Sequence, residues 1–204
     1  MALQRMPREV SEPDEAPSAS GRRLFYEQAL RASEHQLQGP QGFVAMVLLE
    51  VALAPESQHL SERILKPVTS KLAALLNRRL RSVDVLVRTA DTELAVLLAQ
   101  AHLGVAAAFS ERLRQPIEHA LREMELANDI VVCMGLAANP HAHRWHPDAL
   151  IELADFRMRT ARQRAKASSA REWALTVDGE AVPQEWADSA LWPATSEITS
   201  HSSL

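Results

Sequence analysis

The chain has 204 residues, of which 47% are hydrophobic and 24% charged, enough apolar content for the core of one domain with tails. A formal net charge of -4 argues against a generic nucleic-acid binder, which needs a basic face. The single cysteine, Cys133, excludes an internal disulfide framework and suits a cytoplasmic protein, and no apolar run approaches the roughly 18 residues of a membrane span.

Residues 1–20 are rich in Pro, Glu, Ser and Ala without periodicity and are expected to be disordered. They also lack the apolar segment of a signal peptide. A helix with a weak apolar face, built on Leu24, Ala29 or Gln28, and Ala32, is expected from Gly21 to about Gln38, where Gly39-Pro40 ends it. Gly42–Leu49 is a continuous apolar run, as in a central strand covered on both faces. From Ser61 to Leu80, Ile64, Leu65, Val68, Leu72, Leu75, Leu76 and Leu80 recur at three and four and predict a helix. Pro67 moves its true start toward Lys66, because proline is tolerated in a first turn.

Arg81–Leu98 then holds two apolar runs, Val83–Val87 and Leu94–Leu98, around the polar break Arg88–Glu93. That pattern reads as a hairpin, although the usual Asn-Gly or Asp-Gly turn is missing. Just ahead of it Arg81 and Asp84 stand three apart, a spacing that puts both side chains on one side at a helix end. Leu103–Leu126 predicts a long helix with Ala106, Phe109, Leu113, Ile117, Leu121 and Met124 inward, kinked or split by Pro116. Ile130–Ala137 is a second buried strand. His146–Lys166 predicts a helix carrying Leu150, Leu153, Ala154, Met158 and Ala161, and Trp173–Val177 a last edge strand.

These pieces, in this order, resemble the bacterial GGDEF domain of the diguanylate cyclases. That family reads R-x-x-D, five residues, then G-G-[DE]-E-F. Here Arg81-Ser82-Val83-Asp84 is followed after five residues by Ala90-Asp91-Thr92-Glu93-Leu94. Asp14, Arg22, Arg23 and Phe25 match the family's opening D-x-L-T-G-L-x-N-R-R-x-F, but Ala16–Gly21 replaces its centre. Ser110-Glu111-Arg112-Leu113-Arg114 matches A-E-R-[IL]-R, and Ile130–Ala137 resembles [VT]-[VS]-S-x-G-[IV]-A with Gly135 kept. Ala154-Asp155 resembles the start of A-D-x-A-L-Y-x-A-K. The resemblance covers about residues 14–178. It implies an α/β, nucleotidyl cyclase-like fold, a central five-stranded mixed sheet flanked by helices, over residues 21–178, with residues 179–204 as a polar tail.

The resemblance also separates catalysis from binding. Making cyclic di-GMP from two GTP needs metal ions on the phosphates, and the family's two glycines let the hairpin backbone approach the nucleotide. Here Ala90 and Asp91 take their places, and Thr92 replaces the metal-binding carboxylate and is a poor ligand for a hard cation. Glu50 at best stands for the first-strand aspartate, and the nucleotide loop after it is shortened. Only Glu93 survives. The expectation is a degenerate domain that is not an enzyme, with no catalytic residue, metal or cofactor.

The family's inhibitory site, by contrast, is intact. Arg81 and Asp84 supply the R-x-x-D pair, an arginine fork for guanine O6 and N7 and an acceptor for its N1 and N2 hydrogens. Arg112 holds the family's position on the following helix, and Arg88 keeps its place before the turn. The implied ligand is cyclic di-GMP, without DNA, RNA or a membrane span. As that dinucleotide binds such sites as a stacked dimer, the resemblance allows a ligand-linked homodimer. The protein partner is not named by the sequence. The rival readings are a ligand-free interaction module, in which Arg81 and Asp84 form an ordinary surface ion pair, and a residual nucleotide-binding enzyme built on Glu93. His141, His143 and His146 read as a solvated loop rather than a metal site, Cys133 as core, and Trp186 and Trp192 as tail residues that pack back or dock on a partner.

Overall fold

The computed structural model describes residues 44–138, 147–167 and 175–176. The expected first helix, the His141/His143/His146 cluster and the two tail tryptophans lie outside them.

Five strands form one sheet in the order β2-β3-β1-β4-β5. They are β1 (Val44–Leu53), β2 (Val85–Ala90), β3 (Glu93–Ala99), β4 (Ile130–Ala138) and β5 (Leu175–Thr176). The β2–β3, β3–β1 and β1–β4 pairs are antiparallel and β4–β5 is parallel, so the sheet is mixed, as expected. Among the described residues, three α-helices cover it: α1 (Leu65–Asn77), α2 (Leu103–Glu123) and α3 (Pro147–Ala167).

Alternation along the strands decides which face meets which helix. Ala45, Val47, Leu49 and Val51 of β1 face α1 and α2, where Val68, Leu72, Leu76, Phe109, Leu113 and Ile117 complete one core. Val44, Met46 and Leu48 face α3, where Leu150, Leu153, Ala154, Met158 and Ala161 complete the other. The apolar stripe expected of α3 is the stripe it buries.

Two expectations need correction. The helix expected over 61–80 begins as a 3-10 turn at Glu62–Ile64, and its α-helical part stops at Asn77. Pro67 therefore falls in its first turn, where no amide is needed. Arg81 and Asp84 thus lie beyond a helix end, in a turn closed by the Asp84 amide donating to the Arg81 carbonyl at 3.1 Å. Pro116 does not split the second helix, which remains one element. The proline removes a single amide bond there, while Leu113 and Ile117 on either side are buried in the core and hold the segment in place.

Among the described residues, one buried side-chain polar atom lacks a partner: the Ser110 hydroxyl, on the inner face of α2. An orphaned buried hydroxyl costs about 1–3 kcal/mol, and alanine is the better helix former. Ser110→Ala is expected to stabilise the domain by about 1 kcal/mol, read as a raised melting temperature. An unchanged or lowered melting temperature would give the hydroxyl a partner in solution.

Candidate functional site

The R-x-x-D turn joins α1 to β2. Asp84 is buried, its side chain only 3% exposed. Its Oδ2 accepts from the Arg81 backbone amide at 2.8 Å and from Arg81 Nε at 3.2 Å. Its Oδ1 accepts from Arg81 Nη2 at 2.9 Å and from the Ala99 amide at 3.1 Å. The carboxylate thus ties the turn to the last residue of β3 and holds the guanidinium in a fork. Arg81 Nη2 also donates to the Ala99 carbonyl. The Arg81 side chain nevertheless stays 52% exposed, and its Nη1 has no partner among the described residues.

Chain direction brings Arg112 to the same end. Strand β1 runs from the edge marked by Ala99 to the edge marked by Ile130, so α1 climbs back toward Ala99 and α2 descends from it. The two helices are antiparallel, and Lys71 Nζ donates to Glu123 Oε2 at 3.2 Å to fix their stagger. Arg112 lies eleven residues before Glu123, roughly 16 Å up α2 at 1.5 Å per residue, which is the level of the turn beyond Asn77. It is exposed.

Arg88 is not part of this grouping. Its guanidinium donates to Ser70 Oγ at 3.0 Å, to the Lys66 carbonyl at 3.5 Å and to the carbonyls of Ala90 and Asp91. It points to the α1 face at the hairpin end and pins the hairpin turn onto α1. Spacing alone could not show this, because α1 and the turn meet only in the folded sheet.

The hairpin end is where the resemblance places nucleotide and metal. The strands run further into the polar break than the apolar pattern suggests, leaving Asp91-Thr92 as the connection. A bulge at Thr89 adjusts the register between Arg88 and Ala90. The Thr92 carbonyl accepts from the Val51 amide at 2.8 Å. Asp91, in a glycine position, has Lys66 Nζ at 4.0 Å and Arg88 Nη2 at 3.9 Å from its Oδ1. The loop after β1 is held by the protein as well: Ser57 Oγ donates to Asp129 Oδ1, just before β4, at 2.5 Å, and Gln58 Nε2 donates to the Ala54 carbonyl at 3.1 Å.

Glu50 and Glu93 stand directly opposite on β1 and β3, both on the α3 face. Glu50 is buried, and Arg162 Nη1 of α3 donates to its Oε1 at 2.7 Å. Burial raises the Glu50 carboxyl above the ordinary carboxylate range against the pull of Arg162, and Glu93 pushes the same way as burial. Thr89 Oγ1 donates to Glu93 Oε2 at 3.3 Å. A divalent metal does not fit this donor set. Thr92 offers no carboxylate, Glu50 is engaged by a guanidinium, and among the described residues no three His, Cys, Asp or Glu side chains come together. The Cys133 thiol, opposite Glu50 on β4, is pushed up to about 12 by burial, which makes it a core group and not a nucleophile.

Arg162 was not legible as a site residue. The one sequence signal for it is Glu50, an acid inside an apolar strand, which burial obliges to find a cation.

The family model described as "Diguanylate cyclase, GGDEF domain" matches residues 59–168. Solved structures share the fold. The GGDEF domain of DgcB from Caulobacter crescentus, in complex with c-di-GMP, has a TM-score of 0.57 at 15% identity over 76% of this chain and 89% of that one. The GGDEF domain of YfiN from Pseudomonas aeruginosa has a TM-score of 0.54 at 22% identity over 72% and 92%. The active GGEEF domain of a diguanylate cyclase from Vibrio cholerae has a TM-score of 0.52 at 16% identity over 73% and 92%. A comparison with curated proteins gives no match. No helix among the described residues is long and apolar enough to cross a membrane.

Proposed function

The chain belongs to the GGDEF-domain family of diguanylate cyclases, and from that premise we propose that it binds cyclic di-GMP without making it. The observation that carries the proposal is the Arg81–Asp84 pair. A buried carboxylate orients a guanidinium whose exposed side and Nη1 are left for a ligand, at the end of the domain where Arg112 also stands. The hairpin end, in contrast, spends its polar groups on the protein itself. Arg88 and Lys66 attend the turn, and Arg162 attends Glu50.

The two residues of the pair do different work. Asp84 already accepts four hydrogen bonds, so it acts first as the group that positions Arg81. Stacking a guanine on the guanidinium plane, or a single in-plane bond from Nη1, disturbs none of those bonds. A bidentate grip on O6 and N7 takes Nη2 off the Ala99 carbonyl, so part of the binding energy replaces a bond already made.

Calorimetry with cyclic di-GMP and cyclic di-AMP tests the proposal. The guanine ligand should bind and the adenine one far more weakly. Arg81→Ala should lower affinity about ten- to a hundred-fold, the worth of roughly 1–3 kcal/mol for a guanine-edge contact, and Arg112→Ala should lower it less. GTP with magnesium or manganese should yield no cyclic di-GMP. If the wild type shows neither heat nor a melting shift with cyclic di-GMP, the domain is an interaction module instead. Product formation that a Glu93→Gln variant loses would restore the enzyme reading.

A further inference from the structure

Two carboxylates directly opposite on adjacent antiparallel strands have their Cβ atoms roughly 5 Å apart, and like charges so placed repel. Glu50 and Glu93 are such a pair, and Glu50 is buried. In the described structure the neutralising charge comes from α3. Arg162 Nη1 sits 2.7 Å from Glu50 Oε1 while its own side chain stays 44% exposed. Lys166, one helical turn further on, adds a second positive charge that acts on Glu50. Asp155 and Arg159, a pair on the same helix, add one charge of each sign to this end of the sheet.

We infer that Arg162 is the built-in counter-ion of Glu50 and stands where a divalent cation shared by the Glu50–Glu93 pair would have to stand, so this domain is complete without metal. The inference is independent of whether Arg81 binds a nucleotide, since the two regions share no residue. It assigns α3 a task beyond packing: its C-terminal half supplies the charge that lets an acid remain inside the sheet. A mobile or merely decorative surface cation would leave Glu50 without compensation in the interior.

The test is thermal melting at pH 7.5 of the wild type, Arg162→Gln, Arg162→Lys and the double variant Arg162→Gln/Glu50→Gln, each with and without millimolar MnCl2. Arg162→Gln should melt about 5 °C lower, Arg162→Lys near the wild type, and the double variant should recover most of the loss. Manganese should raise the melting temperature of Arg162→Gln alone, because only there is Glu50 released from the guanidinium while both acids remain in place. A loss that Glu50→Gln fails to rescue would make Arg162 a packing residue and overturn the inference. So would a manganese effect on the wild type, or none on Arg162→Gln. A melting temperature of Arg162→Lys as low as that of Arg162→Gln would overturn it as well, since charge would not be what matters. Cyclic di-GMP titration of the same variants should match the wild type, which separates this result from the receptor assay.

Discussion

Gly135→Ala is expected to leave little or no folded domain. Helix α3 crosses β4 so closely that a Cβ at Gly135 would sit 2.0 Å from the Ala154 carbonyl oxygen and 2.4 Å from the Met158 amide nitrogen. Both obstacles are backbone, so no side chain can swing aside. The helix would have to lift off the sheet and with it Leu150, Leu153, Met158 and Ala161. Overpacking in a core costs roughly 1–3 kcal/mol when side chains absorb it, and here the backbone must move. A loss of about 3 kcal/mol or more is a large share of the stability of a domain of this size. Urea denaturation followed by circular dichroism measures it. A midpoint close to the wild type would mean that α3 and β4 have slack that the close approach denies.

The second large effect is expected at Asp84. Replacing it with alanine removes the acceptor of the Arg81 amide, the Ala99 amide and two guanidinium nitrogens together. Ala99 is buried, so its amide would be left without a partner, at about 1–3 kcal/mol for that group alone. Asp84→Ala should therefore destabilise the domain by about 2–3 kcal/mol as well as weaken ligand binding. Arg81→Ala should cost about 1 kcal/mol or less, because that side chain is half in solvent. Asp84→Asn retains one oxygen, but its amide group meets the Arg81 donors with another donor, so it should rescue only part of the stability. Denaturation and calorimetry on the three variants separate the effects. If Asp84→Ala is as stable as the wild type within about 0.5 kcal/mol, the carboxylate is a ligand group only and its internal bonds carry little energy.

A ligand that draws Arg81 away from the Ala99 carbonyl acts on the junction between β3 and α2, where Gln100 takes a positive φ of 52°. Non-glycine residues adopt that region only at a cost. The site and the strand–helix junction are therefore one mechanical unit, joined by the Asp84 carboxylate.

Among the described residues, what the sequence determined by itself was the order and type of the main elements and the buried face of the helices. Leu150, Leu153, Ala154, Met158 and Ala161 recur at the helical period and are the residues α3 buries. The unbroken apolar run of β1 announced a strand covered on both faces. The pairing of Arg81 with Asp84 was legible too, because the two stand three residues apart. Tertiary structure alone decided the partners of the charged groups. Arg88, grouped by sequence position with Arg81, is held by Ser70 and Lys66 of α1. Asp84 reaches Ala99, fifteen residues on, and Glu50 reaches Arg162, 112 residues on. Periodicity records whether a position is dry or wet, since burial of apolar area depends on the element's own geometry. Which cation meets which acid depends on strand register and on how closely a helix lies on the sheet, and at α3 that distance is set by the missing Cβ of Gly135.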